Sequence, residues 1–146
     1  MVLYTTLEEM EKAELIPFQQ AILADADMIM TSHLKARALD GEHPCSLSPI
    51  LVNGLLRSQM GYDGVVICDA LRMDAIREEY SVEDAVILAL HAGTDILLVP
   101  GNGREAYRSI EKALETGELS EKRWRLYQRL YDENYKANRM KAGYRK

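Results

Sequence analysis

With 146 residues, 47% hydrophobic and 28% charged, the chain is long enough for one domain with a real core and polar enough to be globular and soluble. Its net charge of −5 excludes a nucleic-acid backbone as the main partner, because phosphate binding needs a basic face. No stretch is long and apolar enough to cross a membrane, so neither a nucleic-acid nor a membrane partner is expected.

Met1–Thr6 lacks the charged start and apolar core of a signal peptide. Cys45 and Cys68 are too few for a disulfide framework, and a reducing cytoplasm is the expected setting. Thr5 or Thr6 can cap a first helix, with Glu8 and Glu9 at capping-box positions. Pro17 suits the first turn of a second helix through Phe18, Ala21, Ile22 and Leu23. Asp27–Thr31 reads as a first strand. A polar loop from Ser32 to Leu47 follows, carrying His33, Lys35, Arg37, Asp40 and His43, the last four read as solvated. Ser48-Pro49 opens a helix through Leu51, Leu55, Leu56 and Met60, which Gly61 stops.

Gly64–Cys68 is the second strand. After it, Ser81 caps a helix from Val82 to Ala92 that Gly93 ends, with His91 read as partly buried. Asp95–Val99 is the third strand, stopped by Pro100-Gly101, and helices from Arg104 to Glu115 and from Ser120 to Ala142 close the chain. The basic residues from Arg123 to Lys146 alternate with Glu121, Asp132 and Glu133, which reads as a solvated helix face.

Each strand is a near-continuous apolar run, and the helix–strand–loop unit recurs three times at roughly 30–36 residues, as βα units do. Both features predict an α/β fold with a parallel sheet covered by helices. These elements are expected to form a single domain over 1–146, with βα units over 1–101 and C-terminal helices over 102–146, either a small three-stranded α/β layer or the tail of something larger. Three strands do not close a barrel, since eight need about 200–250 residues.

Asp69 is the residue of greatest interest. It follows Val65-Val66-Ile67-Cys68 directly, at the carboxyl end of a strand buried on both faces. An unpaired carboxylate there is costly for packing but well placed for chemistry, which parallel α/β folds perform at the carboxyl ends of their strands. A turn cap is the competing structural role. Gly101-Asn102-Gly103 is no phosphate loop, since no Lys-Ser or Lys-Thr follows, and no cluster has metal-ligand spacing. No cofactor and no metal are therefore expected. Asp95, at the far end of its strand, reads as structural, and Asn102 is a weak candidate for substrate contact.

An ordered set of segments then resembles glycoside hydrolase family 3. These are Glu14-Leu15-Ile16-Pro17-Phe18, Met30-Thr31-Ser32-His33, Ser46-Leu47-Ser48-Pro49, Leu55-Leu56-Arg57, Gly61-Tyr62-Asp63-Gly64-Val65-Val66, Asp69-Ala70-Leu71-Arg72-Met73 and Ala92-Gly93-Thr94-Asp95. They run in order from about Leu7 to Val99 and are most similar to the bacterial β-N-acetylhexosaminidase branch. The resemblance implies a (β/α)8 TIM-like barrel of which this chain supplies the last three strands. It also implies retaining hydrolysis of a β-linked N-acetylhexosaminide with Asp69 as nucleophile, attacking the anomeric carbon as an ionised carboxylate. His33 would line the sugar subsite and Met73 would form an apolar wall of it. The family's Lys-His-Phe-Pro-Gly-His-Gly-like segment and its Asp-His acid/base loop have no counterpart in this sequence. The expectation is thus a truncated C-terminal part of the barrel, inactive alone, that self-associates or joins a missing N-terminal barrel half. The alternatives are a non-catalytic fragment or assembly partner and a small α/β ligand-binding domain.

Overall fold

The structure is a computed structural model that describes residues 1–119. The chain divides into two compact units, Met1–Ser109 and Ile110–Lys146. The expected helix from Ser120 to Ala142, with its basic face, lies outside the described residues.

Local chemistry sets the first elements. After the two-residue strand β1 (Val2–Leu3), Thr6 caps α1 (Leu7–Lys12). The Thr6 hydroxyl accepts from the Glu9 amide, and the Glu9 carboxylate accepts from the Thr6 amide at 2.9 Å, so two orphan donors are satisfied at once. α2 (Ile16–Leu23) holds Pro17 in its first turn, where the missing N–H has no helical partner to lose.

β2 (Met28–Thr31) and β4 (Val65–Cys68) form a parallel ladder, in register from Met28↔Val65 to Thr31↔Cys68. β3 (Lys35–Ala36) lies inside the expected polar loop and pairs in parallel with β1. The sheet therefore departs from the single three-stranded layer predicted: among the described residues there are two separate two-stranded ladders. β1 and β3 are two residues long, too short for any hydrophobic period to register.

Asp95–Val99 also departs from prediction, joining β4 through one parallel bridge, Ile67↔Ile96. The Cys68 amide donates to the Ile96 carbonyl and the Ile96 amide to the Val66 carbonyl, both at 3.1 Å. Beyond that point β4 has ended. The carbonyls of Leu98 and Val99 accept instead from the amides of Leu71 and Arg72, which belong to a loop. Val99, at φ 39°, leaves extended geometry immediately before Pro100.

The helix opened by Ser48-Pro49 is present over Ile50–Gln59, and the Ser48 hydroxyl accepts from the Leu51 amide at 3.2 Å. It is π-wound, so that the Met60 amide donates to the Leu55 carbonyl five residues back. Its Val52 and Leu56 pack with Ile29, Tyr62, Val66 and Ala92, tying the β2–β4 ladder to the helical layer. Its Leu51 and Leu55 pack with Ala36 beneath Leu7, Leu15 and Leu39. One helix thus anchors both ladders.

A single turn, α3 (Asp74–Arg77), follows the Asp69 loop. α4 (Val82–Ala92) begins at Ser81, whose hydroxyl accepts from the Asp84 amide at 3.0 Å, as predicted. His91 on α4 is exposed rather than partly buried. Gly93 ends α4 at φ 118°, and a Cβ there would collide with the Asn53 side chain and meet Val52 Cγ1 at 3.0 Å. Gly93→Ala is therefore expected to cost about 1–3 kcal/mol of stability, read as a lowered urea midpoint at unchanged slope. α5 (Gly103–Glu115) is capped by Asn102, whose Oδ1 accepts from the amides of Arg104 and Glu105. A helix cap is the role the structure gives Asn102.

Candidate active site

Asp69 stands one residue beyond β4, and the strand's register continues into it: its amide donates to the Thr31 carbonyl at 2.8 Å. The residue is half-buried. Its Oδ1 accepts from the Ala70 amide at 2.7 Å, so part of the turn-capping role is real. Among the described residues, Oδ2 takes no hydrogen bond. A partly exposed carboxyl group with one oxygen tied by a backbone N–H and the other available has the geometry a nucleophile needs.

The turn after Asp69 is fixed on two sides. On one, the amides of Leu71 and Arg72 donate to the carbonyls of Leu98 and Val99 at 3.0 and 3.2 Å. On the other stands His33, two residues past β2. The His33 side chain is buried, at 7% exposure, and both ring nitrogens are engaged. Nε2 lies 3.0 Å from the Ala70 carbonyl and Nδ1 2.6 Å from the hydroxyl of Ser46, itself fully buried on the 3-10 turn Cys45–Leu47. Of the three residues picked from sequence, the structure joins His33 and Asp69 through one turn. Met73 closes that turn, its amide donating to the Ala70 carbonyl at 3.0 Å, and its side chain is 44% exposed. Ser46 is the residue that sequence reasoning passed over, appearing only as part of a motif. A buried hydroxyl facing a histidine from 13 residues away leaves no local pattern to find.

The loop read as solvated is partly buried. Lys35 lies in β3 and pairs with Glu79 at 2.6 Å. The His43 ring lies 6.4 Å from that of Tyr80. Asp40 is buried, and its Oδ1 accepts from the amides of Glu42 and His43 at 2.9 and 3.0 Å. Burial alone would raise its pKa, but the Ser48 hydroxyl, those two amides and the nearby His43 together hold the carboxyl below its usual range. The stability Asp40 adds is fully present above the ordinary carboxyl range near about pH 4 and is lost as pH falls through the lower folded value. Asp40→Asn is expected to flatten this part of the acid-unfolding profile, measured by circular dichroism; an unaltered profile would dismiss the assignment.

Far from Asp69, at the amino end of β4, Asp95 Oδ2 accepts from Arg57 at 2.5 Å and from the Val66 amide at 2.8 Å. Arg57 also donates to the carbonyls of Gly64 and Tyr62. Both charges are used in holding the strand's start, so Asp95 is structural, as its position predicted. The Cys45 and Cys68 thiols are free, and burial pushes both pKa values up, which makes them poor nucleophiles. Among the described residues no group of His, Cys, Asp and Glu could hold a metal ion, and no helix is long and apolar enough to cross a membrane.

The sequence matches the glycosyl hydrolase family 3 N terminal domain over residues 2–129. It is similar to an uncharacterized secreted glycosyl hydrolase of Arthroderma benhamiae, 34% identical over 119 residues, covering 79% of this chain and 34% of that protein. A β-hexosaminidase of Methylococcus capsulatus is 36% identical over 111 residues, covering 75% of this chain and 32% of its own. Among solved structures, a family 3 β-N-acetylglucosaminidase from Paenibacillus sp. superposes with a TM-score of 0.80 at 36% identity, over 84% of this chain and 24% of that one. The chain thus spans about a third of the length of these two relatives.

Proposed function

This chain belongs to glycoside hydrolase family 3, and we propose that it contributes the nucleophile of a retaining hydrolase acting on β-linked N-acetylhexosamine. The observation that carries the proposal is the position of Asp69, at the carboxyl end of a parallel strand, with one oxygen available and its turn held from both sides. In this reading the Asp69 carboxylate attacks the anomeric carbon as the glycosidic C–O bond breaks. The leaving oxygen takes a proton from an acid, and water then cleaves the glycosyl ester with that acid acting as base. The sugar specificity is supported by the names of the relatives, several of which are β-hexosaminidases. Met73, exposed four residues after Asp69 at the close of the same turn, supplies the apolar wall for the sugar.

The same proposal treats the chain as the last three βα units of a (β/α)8 barrel, with the acid/base on a segment outside it. Met28 and Met30 alternate on one face of β2 and are about half exposed, as are, to a lesser degree, Val65 and Ile96. A complementary barrel half, packed on that face, is the partner it fits. A two-fold dimer of the chain alone is the other outcome of a sedimentation experiment. The free thiols are in keeping with a reducing, cytoplasmic setting.

The direct test is covalent trapping. A fluorinated N-acetylglucosaminide that stalls the glycosyl-enzyme should add its mass to the peptide containing Asp69 when the complementary half is supplied. A label on another carboxylate would sink the assignment.

A further inference from the structure

We infer that His33 and Ser46 act together as a positioning clamp on the turn that carries Asp69. The functional meaning of the clamp rests on the nucleophile reading above. The clamp itself rests on geometry.

The Ala70 carbonyl can only accept a hydrogen bond, so the nitrogen 3.0 Å from it, His33 Nε2, carries the ring proton. In the neutral ring Nδ1 is then an acceptor, and the Ser46 hydroxyl at 2.6 Å donates to it. The Ala70 carbonyl thus sets the tautomer, and the Ser46 hydroxyl, able to donate or accept, satisfies the remaining nitrogen and holds the ring in place. Both side chains are buried, so water does not compete for either bond. The Ala70 carbonyl receives a second bond from the Met73 amide, at 3.0 Å, so one oxygen ties together the whole span from Asp69 to Met73.

The anchors come from two segments distant from the turn, the end of β2 and the 3-10 turn. The Asp69 amide is held by the last residue of β2, the Ala70 carbonyl by the residue two beyond β2, and His33 by the 3-10 turn. With both nitrogens committed, His33 has no polar ring atom left for a sugar hydroxyl. Its effect on chemistry is transmitted through the position of Asp69, where a displacement of about 1 Å can change a rate by roughly 10²-fold.

The test uses the full 146-residue chain. Nitrogen-15 NMR of the imidazoles should show His33 protonated on Nε2, with slow ring-proton exchange. Ser46→Ala and His33→Phe should speed amide exchange at Asp69 and Met73 by about fivefold or more, the change expected for one net hydrogen bond. The Val66 amide, held by Asp95, should stay as it is. His33→Gln places a donor near the Nε2 position and should restore most of the protection. An Nδ1-protonated His33, or unchanged exchange at Asp69 and Met73, would overturn the clamp. So would equal loosening at Val66, which would mark general destabilisation. In enzyme assembled with the complementary half, Ser46→Ala should lower kcat by about 10- to 100-fold with KM changed less than about twofold. If Asp69→Asn leaves turnover intact there, the nucleophile reading fails while the NMR result still decides the clamp.

Discussion

Asp69→Asn should abolish hydrolysis of an aryl β-N-acetylglucosaminide by the chain assembled with a complementary barrel half, lowering kcat by roughly 10³-fold or more. The substitution keeps the size and planar shape of the side chain and leaves an oxygen able to accept from the Ala70 amide, so the turn stays folded. What disappears is the anion that forms the glycosyl ester. Folding should be unaffected, because Asp69 is only half-buried and its amide bond to Thr31 is a backbone contact. Thermal unfolding and steady-state kinetics on the same preparation separate the two effects. Full activity in the variant would refute the nucleophile. The isolated chain should show no turnover, since protonation of the leaving group alone is worth about 10²–10⁴-fold and the proposed acid/base lies on the other half.

The largest effect on stability is expected at the opposite end of β4. Asp95→Ala removes the acceptor for both the Arg57 guanidinium and the Val66 amide and leaves a partly buried cation without its counter-ion. Breaking one side of a buried pair costs about 3–5 kcal/mol. With about a fifth of each side chain exposed to solvent, about 2–3 kcal/mol is the expected loss. Lys12→Ala removes an ion pair of similar distance, Lys12–Glu8, but both of its side chains are at least 70% exposed. It should shift the urea midpoint hardly at all. Equal effects from the two substitutions would mean that the Arg57–Asp95 contact holds nothing. Asp95→Asn, which retains an acceptor for Val66, should fall between them.

Much of this architecture is legible in local sequence because local chemistry enforces it. Thr6 with Glu9, Ser81 with Asp84 and Pro17 in a first turn each fix a helix start within four residues. The apolar runs at Met28–Thr31 and Val65–Cys68 announce parallel strands, though the fold buries Ile29 and Val66–Cys68 and leaves Met28, Met30 and Val65 exposed, and Asp69 stands out because a carboxylate ends such a run. The ordered motifs carried the family.

Tertiary structure alone decided the rest, in each case because the partners are distant along the chain. β1 finds β3 more than 30 residues away, and nothing in two residues forecasts it. Asp95–Val99 has the composition of a strand, but β4 ends at Cys68 and the Asp69 loop occupies the carbonyls of Leu98 and Val99. Asp40 looked solvated because it sits among polar residues, whereas hydrogen bonds from Glu42, His43 and Ser48 satisfy its charge on burial. Sequence made His33 a residue of interest. Only the fold shows both of its nitrogens committed, one to a hydroxyl 13 residues away and the other to a carbonyl 37 residues away. A histidine's role is set by what its two nitrogens meet, and that is a property of the packed chain.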